Sequence, residues 1–66
     1  MKIEYDKEVD AAYIYLNDKI AAKEVKKTIQ INERVNFDLD KNNKLIGIEI
    51  LDAKEIISKE VLLQKA

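Results

Sequence analysis

Asp38, Asp40, Asn42 and Glu49 are spaced like the oxygen ligands of the calcium-loop pattern D-x-[DN]-x-[DN]-G-x5-E. Leu45 supplies the apolar residue inside such a loop. The pattern also needs a glycine at its sixth position for the sharp turn, and Asn43 stands there instead. The flanking residues alternate as strands do, so Glu49 falls several residues up a return strand, at roughly 3.3 Å per residue from the turn. That spacing fits a solvated hairpin better than a calcium site. Asp38 and Glu49 also form a carboxylate pair of the kind used in acid/base catalysis. No nucleophile or oxyanion hole accompanies them. Besides the tyrosines the only hydroxyls are Thr28 and Ser58, and the single glycine, Gly47, cannot build a phosphate cradle.

Tyr13 and Tyr15 carry a different message. They sit two apart in an alternating segment, on what reads as the polar side of a sheet. Tyrosine combines apolar area with a polar tip and is enriched at interfaces, so these rings mark a protein-contact face, homotypic or heterotypic. The alternative is a pair of half-buried rings packed on neighbouring aliphatic stems. Lys23, Lys26, Lys27 and Arg34 suggest a basic edge that could track single-stranded nucleic acid beside those rings. Glu24 and Glu33 interrupt that edge, and Asp38 and Glu49 on the sheet face repel phosphate. Edge lysines that block aggregation are the simpler reading.

Composition narrows the classes further. Sixty-six residues form one small domain, 1–66. The chain has no cysteine, hence no disulfide or thiolate site, and no histidine, the commonest metal ligand and acid/base group. Twelve Lys and Arg against thirteen Asp and Glu give a net charge of -1, with no general pull toward nucleic acid or anionic lipid. No apolar run approaches the roughly 20 residues of a membrane span. The polar start Met1-Lys2-Ile3-Glu4-Tyr5-Asp6 is unlike a signal peptide, so a cytoplasmic protein is expected. An apolar content of 47% supports a core, and a domain this small gains from a partner subunit.

Hydrophobic period supplies the elements. Ile3–Tyr5 reads as a first strand, Asp6–Asp10 as a turn and Ala11–Leu16 as a second strand. Asn17-Asp18-Lys19 is the next turn, and Ala22–Ile31 a third strand whose pattern breaks at Lys27, a mark of an edge, a twist or a bulge. Asn32-Glu33-Arg34 is a turn. Val35, Phe37 and Leu39 alternate with Asn36, Asp38 and Asp40, the cleanest period-two signal in the chain. Lys41–Lys44 makes a hairpin turn in which asparagine tolerates positive φ. Leu45–Leu51 is a fifth strand with Ile46, Ile48 and Ile50 on one side. Asp52 is then placed as a helix N-cap, with Glu55 completing a capping box and Leu51 and Ile56 a hydrophobic staple. The helical face runs through Ala53, Ile56, Ile57, Glu60, Val61 and Gln64, although Ser58 could re-cap a second helical piece. The expected fold is α+β: a five-stranded antiparallel β-meander with one C-terminal helix packed on one sheet face, since short connections favour neighbour pairing. Ile3, Tyr5, Ile14, Leu16, Ile29, Phe37, Ile46, Ile48 and Ile50 would lie under the helix. Tyr13, Tyr15, Thr28, Gln30, Asn36, Asp38, Gly47 and Glu49 would face away from it.

The segment Tyr5-Asp6-Lys7-Glu8-Val9-Asp10-Ala11-Ala12-Tyr13-Ile14 resembles the opening "YD-x-E-x-D-A-x-Y-I" of a small prokaryotic family, DUF2283. Val35–Asp40 followed by Leu45–Ala53 is similar to that family's second half, "V-N-x-D-x-D … L-V-G-I-E-I-L-x-A". Asn17–Arg34 departs most from it. The resemblance implies a stand-alone domain of small sheet plus helix and no established activity, so it carries over no catalytic residue. It does point to Tyr13, Asn36, Asp38, Gly47 and Glu49.

These readings converge on a non-enzymatic protein-interaction module acting as a homodimer, with no cofactor and no membrane or nucleic-acid partner. Its contact candidates are Tyr13, Tyr15, Asn36, Asp38 and Glu49. A small antitoxin-like protein that masks another protein is the sharpest version, resting on size and analogy. The competing class is a metal-dependent or acid/base domain using Asp38, Asp40 and Glu49.

Overall fold

In the computed structural model, which describes residues 1–17 and 24–63, five antiparallel strands form one sheet beside two short helices. The strands are β1 Lys2–Asp6, β2 Ala11–Tyr15, β3 Lys27–Gln30, β4 Val35–Leu39 and β5 Leu45–Leu51, followed by α1 Ala53–Ile56 and α2 Lys59–Leu62. The two strands with the clearest alternation lie where the sequence puts them. Their hairpin turn is tied by Asp40, whose Oδ1 accepts the amides of Asn42 (2.8 Å) and Lys44 (3.0 Å). Asn43 takes the positive φ of 61°. Residues 18, 19, 22 and 23 and Gln64, assigned above to a turn, a strand start, a basic edge and a helix face, lie outside the described residues.

The sheet is not a meander. Its order is β1-β2-β5-β4-β3, so β5 sits between β2 and β4. Short connections favour sequence neighbours, but burial decides against them here. β5 is the longest strand and has Ile46, Gly47 and Ile50 buried, which suits the centre. β3 is exposed at every residue and carries Lys27 on its apolar side, which suits an edge. The chain between β2 and β3 therefore links strands three positions apart. β3 is also shorter than expected, beginning at Lys27 and not Ala22. A register shift between Asp38 and Leu39 ends the regular β4–β5 pairing.

The isoleucine side does carry the helices. Ala12, Ile50, Ala53 and Leu62 form the buried cluster, with Tyr5, Ile14, Ile48 and Ile57 packed against it. All of these come from β1, β2, β5 and the helical segment. The expected single helix is two, because Ser58 re-caps the chain: its Oγ accepts the Val61 amide (3.4 Å), while Ile57 is extended at φ -115°. The break resets the helical phase, so Leu62 is buried while Ile56 and Val61 stay exposed.

The capping box at Asp52 is not made either. Asp52 adopts a left-handed conformation (φ 50°, ψ 49°) and its side chain makes no cap bond. The start of α1 is served by Asp10, from the β1–β2 turn. The Asp10 carbonyl accepts the Ala53 amide (2.9 Å) and Asp10 Oδ1 accepts the Lys54 amide (3.2 Å). Asp52 instead accepts from Arg34 Nε (3.1 Å). Leu51 and Ile56, expected to form a staple, are both exposed. Among the described residues no helix is long and apolar enough to cross a membrane.

Candidate functional site

Strand alternation places the polar candidates on the side away from the helices, and sheet order then brings them together. One cross-strand row runs Glu4–Tyr13–Glu49–Asn36–Gln30 from β1 to β3. The next row runs Lys2–Tyr15–Gly47–Asp38–Thr28. Tyr13, Tyr15, Asn36, Asp38 and Glu49 thus fall on two adjacent rows of one face.

They are also bonded to one another. Tyr13 Oη donates to Asp38 Oδ2 (2.5 Å), and Thr28 Oγ1 donates to Asp38 Oδ1 (2.6 Å). Asn36 Nδ2 donates to Glu49 Oε1 (2.8 Å). Asp38 is the one buried charged residue among those described, at 9% exposure, and both its oxygens are satisfied by hydroxyls. Its position in the sequence puts Thr28 on this face, but alternation carries no sign that it is the second donor to Asp38.

Gly47 makes the Tyr13–Asp38 bond sterically possible. Tyr13 lies on β2 and Asp38 on β4, with β5 between them. The phenol crosses directly over Gly47. A Cβ there would overlap Tyr13 Oη and lie only 2.6 Å from Cζ and 2.7 Å from Cε1. Gly47 does not have positive φ, so what it provides is space, not backbone freedom.

The tyrosines feel this surrounding charge. Burial raises the Tyr13 phenol well above its ordinary value, and the hydrogen bond to Asp38 and the negative charges of Asp38 and Glu49 raise it further. Tyr15 is raised by its hydrogen bond to Glu4, then by burial and the Glu4 charge. Both therefore stay neutral at ordinary pH, and Tyr13 is a donor rather than a base. The two rings lie 4.7 Å apart at 55°, and Lys2 Nζ sits 5.7 Å from the Tyr15 centroid, a cation–π contact.

The calcium-loop residues do not converge. Asp40 faces its own turn, Asp38 is enclosed by Tyr13 and Thr28, and Glu49 stands opposite Asn36. Among the described residues no three acidic, histidine or cysteine side chains group to hold a metal. The basic edge is electrically mixed: Lys26 and Lys41 share a cavity of about 360 Å³ with Glu24 and Asp40.

The sequence profile described as "Protein of unknown function (DUF2283)" matches residues 2–54. No curated protein and no solved structure matches the chain. The matched span contains the whole sheet, the Tyr13–Gly47–Asp38 crossing and the Asp10 cap of α1.

Proposed function

The chain belongs to the DUF2283 family, a family of unknown function, and on that premise we propose that it is a non-enzymatic protein-interaction module that pairs with a second copy of itself. The observation that carries this reading is the end of the isoleucine face that neither described helix covers. The helices pack on β1, β2 and β5. Over β3 and β4, Ile29 is 38% and Ile31 49% exposed, next to half-buried Val35 and Phe37. No large side chain among the described residues is fully buried, so the core is thin and gains from a partner.

The tyrosine face is less suited to self-pairing, because its carboxylates would meet their own copies. In its sharpest form the module is an antitoxin-like partner that masks another protein with that second face.

Sedimentation across a concentration series tests the pairing. The wild-type chain should sediment as a dimer. Ile29→Lys with Ile31→Lys should convert it to a folded monomer, while Tyr15→Ser leaves it dimeric. A wild-type monomer at every concentration refutes the reading, and so does a dimer that survives both lysines.

A further inference from the structure

The tyrosine-bearing face has a consistent chemistry. Its two central rows hold the carboxylates Glu4, Asp38 and Glu49 against one cation, Lys2. Beside Tyr13 the sheet surface dips into a groove of about 330 Å³ whose lining includes Glu4, Asp6, Ala11, Tyr13 and Glu49, and no lysine or arginine. Arg34, opposite Leu51 in the adjoining row, is already paired with Asp52. Acid and aromatic ring therefore stand side by side along a shallow trough.

The ring pair shows what it attracts. The chain's own Lys2 ammonium is drawn over Tyr15. A ring face attracts cations, and flanking carboxylates add to that field. Asp38 is consumed by its two hydroxyl donors, but Glu49 lends only Oε1 to Asn36, and Glu4 lines the groove opposite Tyr13. A planar cation that stacks on a ring while its N–H fork reaches a carboxylate matches this arrangement better than a compact ammonium does. Phosphate-bearing partners are repelled by the same carboxylates.

We propose that this face docks an arginine-bearing segment of another protein, with a guanidinium laid against the Tyr13–Tyr15 pair and hydrogen-bonded by Glu4 and Glu49. The inference rests on the interaction reading and names the partner's chemistry, but it holds whether or not the chain pairs with itself.

Titration of the labelled full chain by NMR tests it, using an acetylated Arg-Gly repeat peptide and its Lys-Gly counterpart as probes. Amide shifts should concentrate at Tyr13, Tyr15, Gly47 and Glu49. The arginine peptide should bind about fivefold more tightly than the lysine peptide. Glu49→Gln should weaken arginine-peptide binding about tenfold, the loss of one charge-assisted hydrogen bond. Tyr15→Leu, which removes one ring but neither Asp38 bond, should narrow the preference for the arginine peptide, and unmoved amides of Ala53 and Leu62 in the core report that the fold is intact. Equal binding of the two peptides to the wild type, shifts scattered over Asp6, Glu8 and Asp52, shifts centred on Ile29 and Ile31, or tighter binding of a single-stranded oligonucleotide would each overturn the proposal. Sedimentation of the peptide-free protein reads the self-pairing separately, so the two ideas can fail independently.

Discussion

Gly47→Ala is the sharpest test of how the polar face is built. The added methyl would occupy the space of the Tyr13 ring tip, 2.6 Å from Cζ and 2.7 Å from Cε1. The backbone has no reason to object, since φ is not positive. Relief must come from Tyr13, which can swing only by leaving Asp38. The Asp38 carboxylate, 9% exposed, would then keep Thr28 as its donor and lose the phenol. Losing a hydrogen bond to a charged group costs about 1.5–3 kcal/mol. Replacing glycine by alanine returns about 0.4–1 kcal/mol through the unfolded chain. The net expectation is a loss of about 1–2 kcal/mol, which in a domain of this size lowers Tm by roughly 5–15 °C.

A double-mutant cycle isolates the cause. In a Tyr13→Ala background the methyl has room and no Asp38 bond remains to be broken. There Gly47→Ala should be neutral or stabilising by up to about 1 kcal/mol. Urea unfolding of the four proteins, followed by far-UV circular dichroism at one protein concentration, supplies the numbers. An equal cost of Gly47→Ala in both backgrounds would refute the crossing argument and point to a backbone role for the glycine.

The pH dependence follows from the tyrosines. Folding raises the Tyr13 phenol above its ordinary value near 10, so the folded state holds that proton more tightly. The associated stability is fully present below about pH 10 and is lost as pH rises toward the folded-state value. Tyr5 and Tyr15 shift in the same direction, so Tyr13→Phe should flatten the alkaline fall in urea midpoint without abolishing it. An unchanged slope would remove Tyr13 from the account. Asp10→Ala should cost about 1–2 kcal/mol by removing the acceptor shared by the Lys54 amide and the Tyr5 hydroxyl, and hydrogen exchange should show Lys54 losing protection before the sheet does. Asn43→Ala should cost about 1 kcal/mol at its left-handed turn position, whereas Asn43→Gly should be tolerated, as thermal unfolding of both would show.

Sides of the sheet were legible and neighbours were not. Alternation assigns each residue of a strand to a face whatever the strand pairs with. Tyr13, Asn36, Asp38, Gly47 and Glu49 therefore share a face in a meander and in the observed order alike. The Asp10 cap of α1 was out of reach for another reason. It joins residues 44 apart, while the local signal at Asp52 was real and lost to tertiary contacts. Ser58, by contrast, caps locally and was visible in advance.

The strand order did have a signature, in the only glycine. Tyr13 and Asp38 belong to strands two apart, roughly 10 Å from axis to axis. A phenol can span that gap only by lying flat on the strand between. In a meander that strand is β3, whose residues on this face are Thr28 and Gln30, each with a side chain that would block the ring. In the observed order the strand is β5, and Gly47 lies opposite both Tyr15 and Asp38, one step along the face from Tyr13. A glycine in the middle of a strand normally weakens it, so it calls for a close approach from a neighbour. Here a tyrosine on β2 and a carboxylate on β4 are the pair that can use the opening. Only an order with β5 between them puts the glycine beneath the bond, so the same three residues that close the polar face also select the sheet's topology.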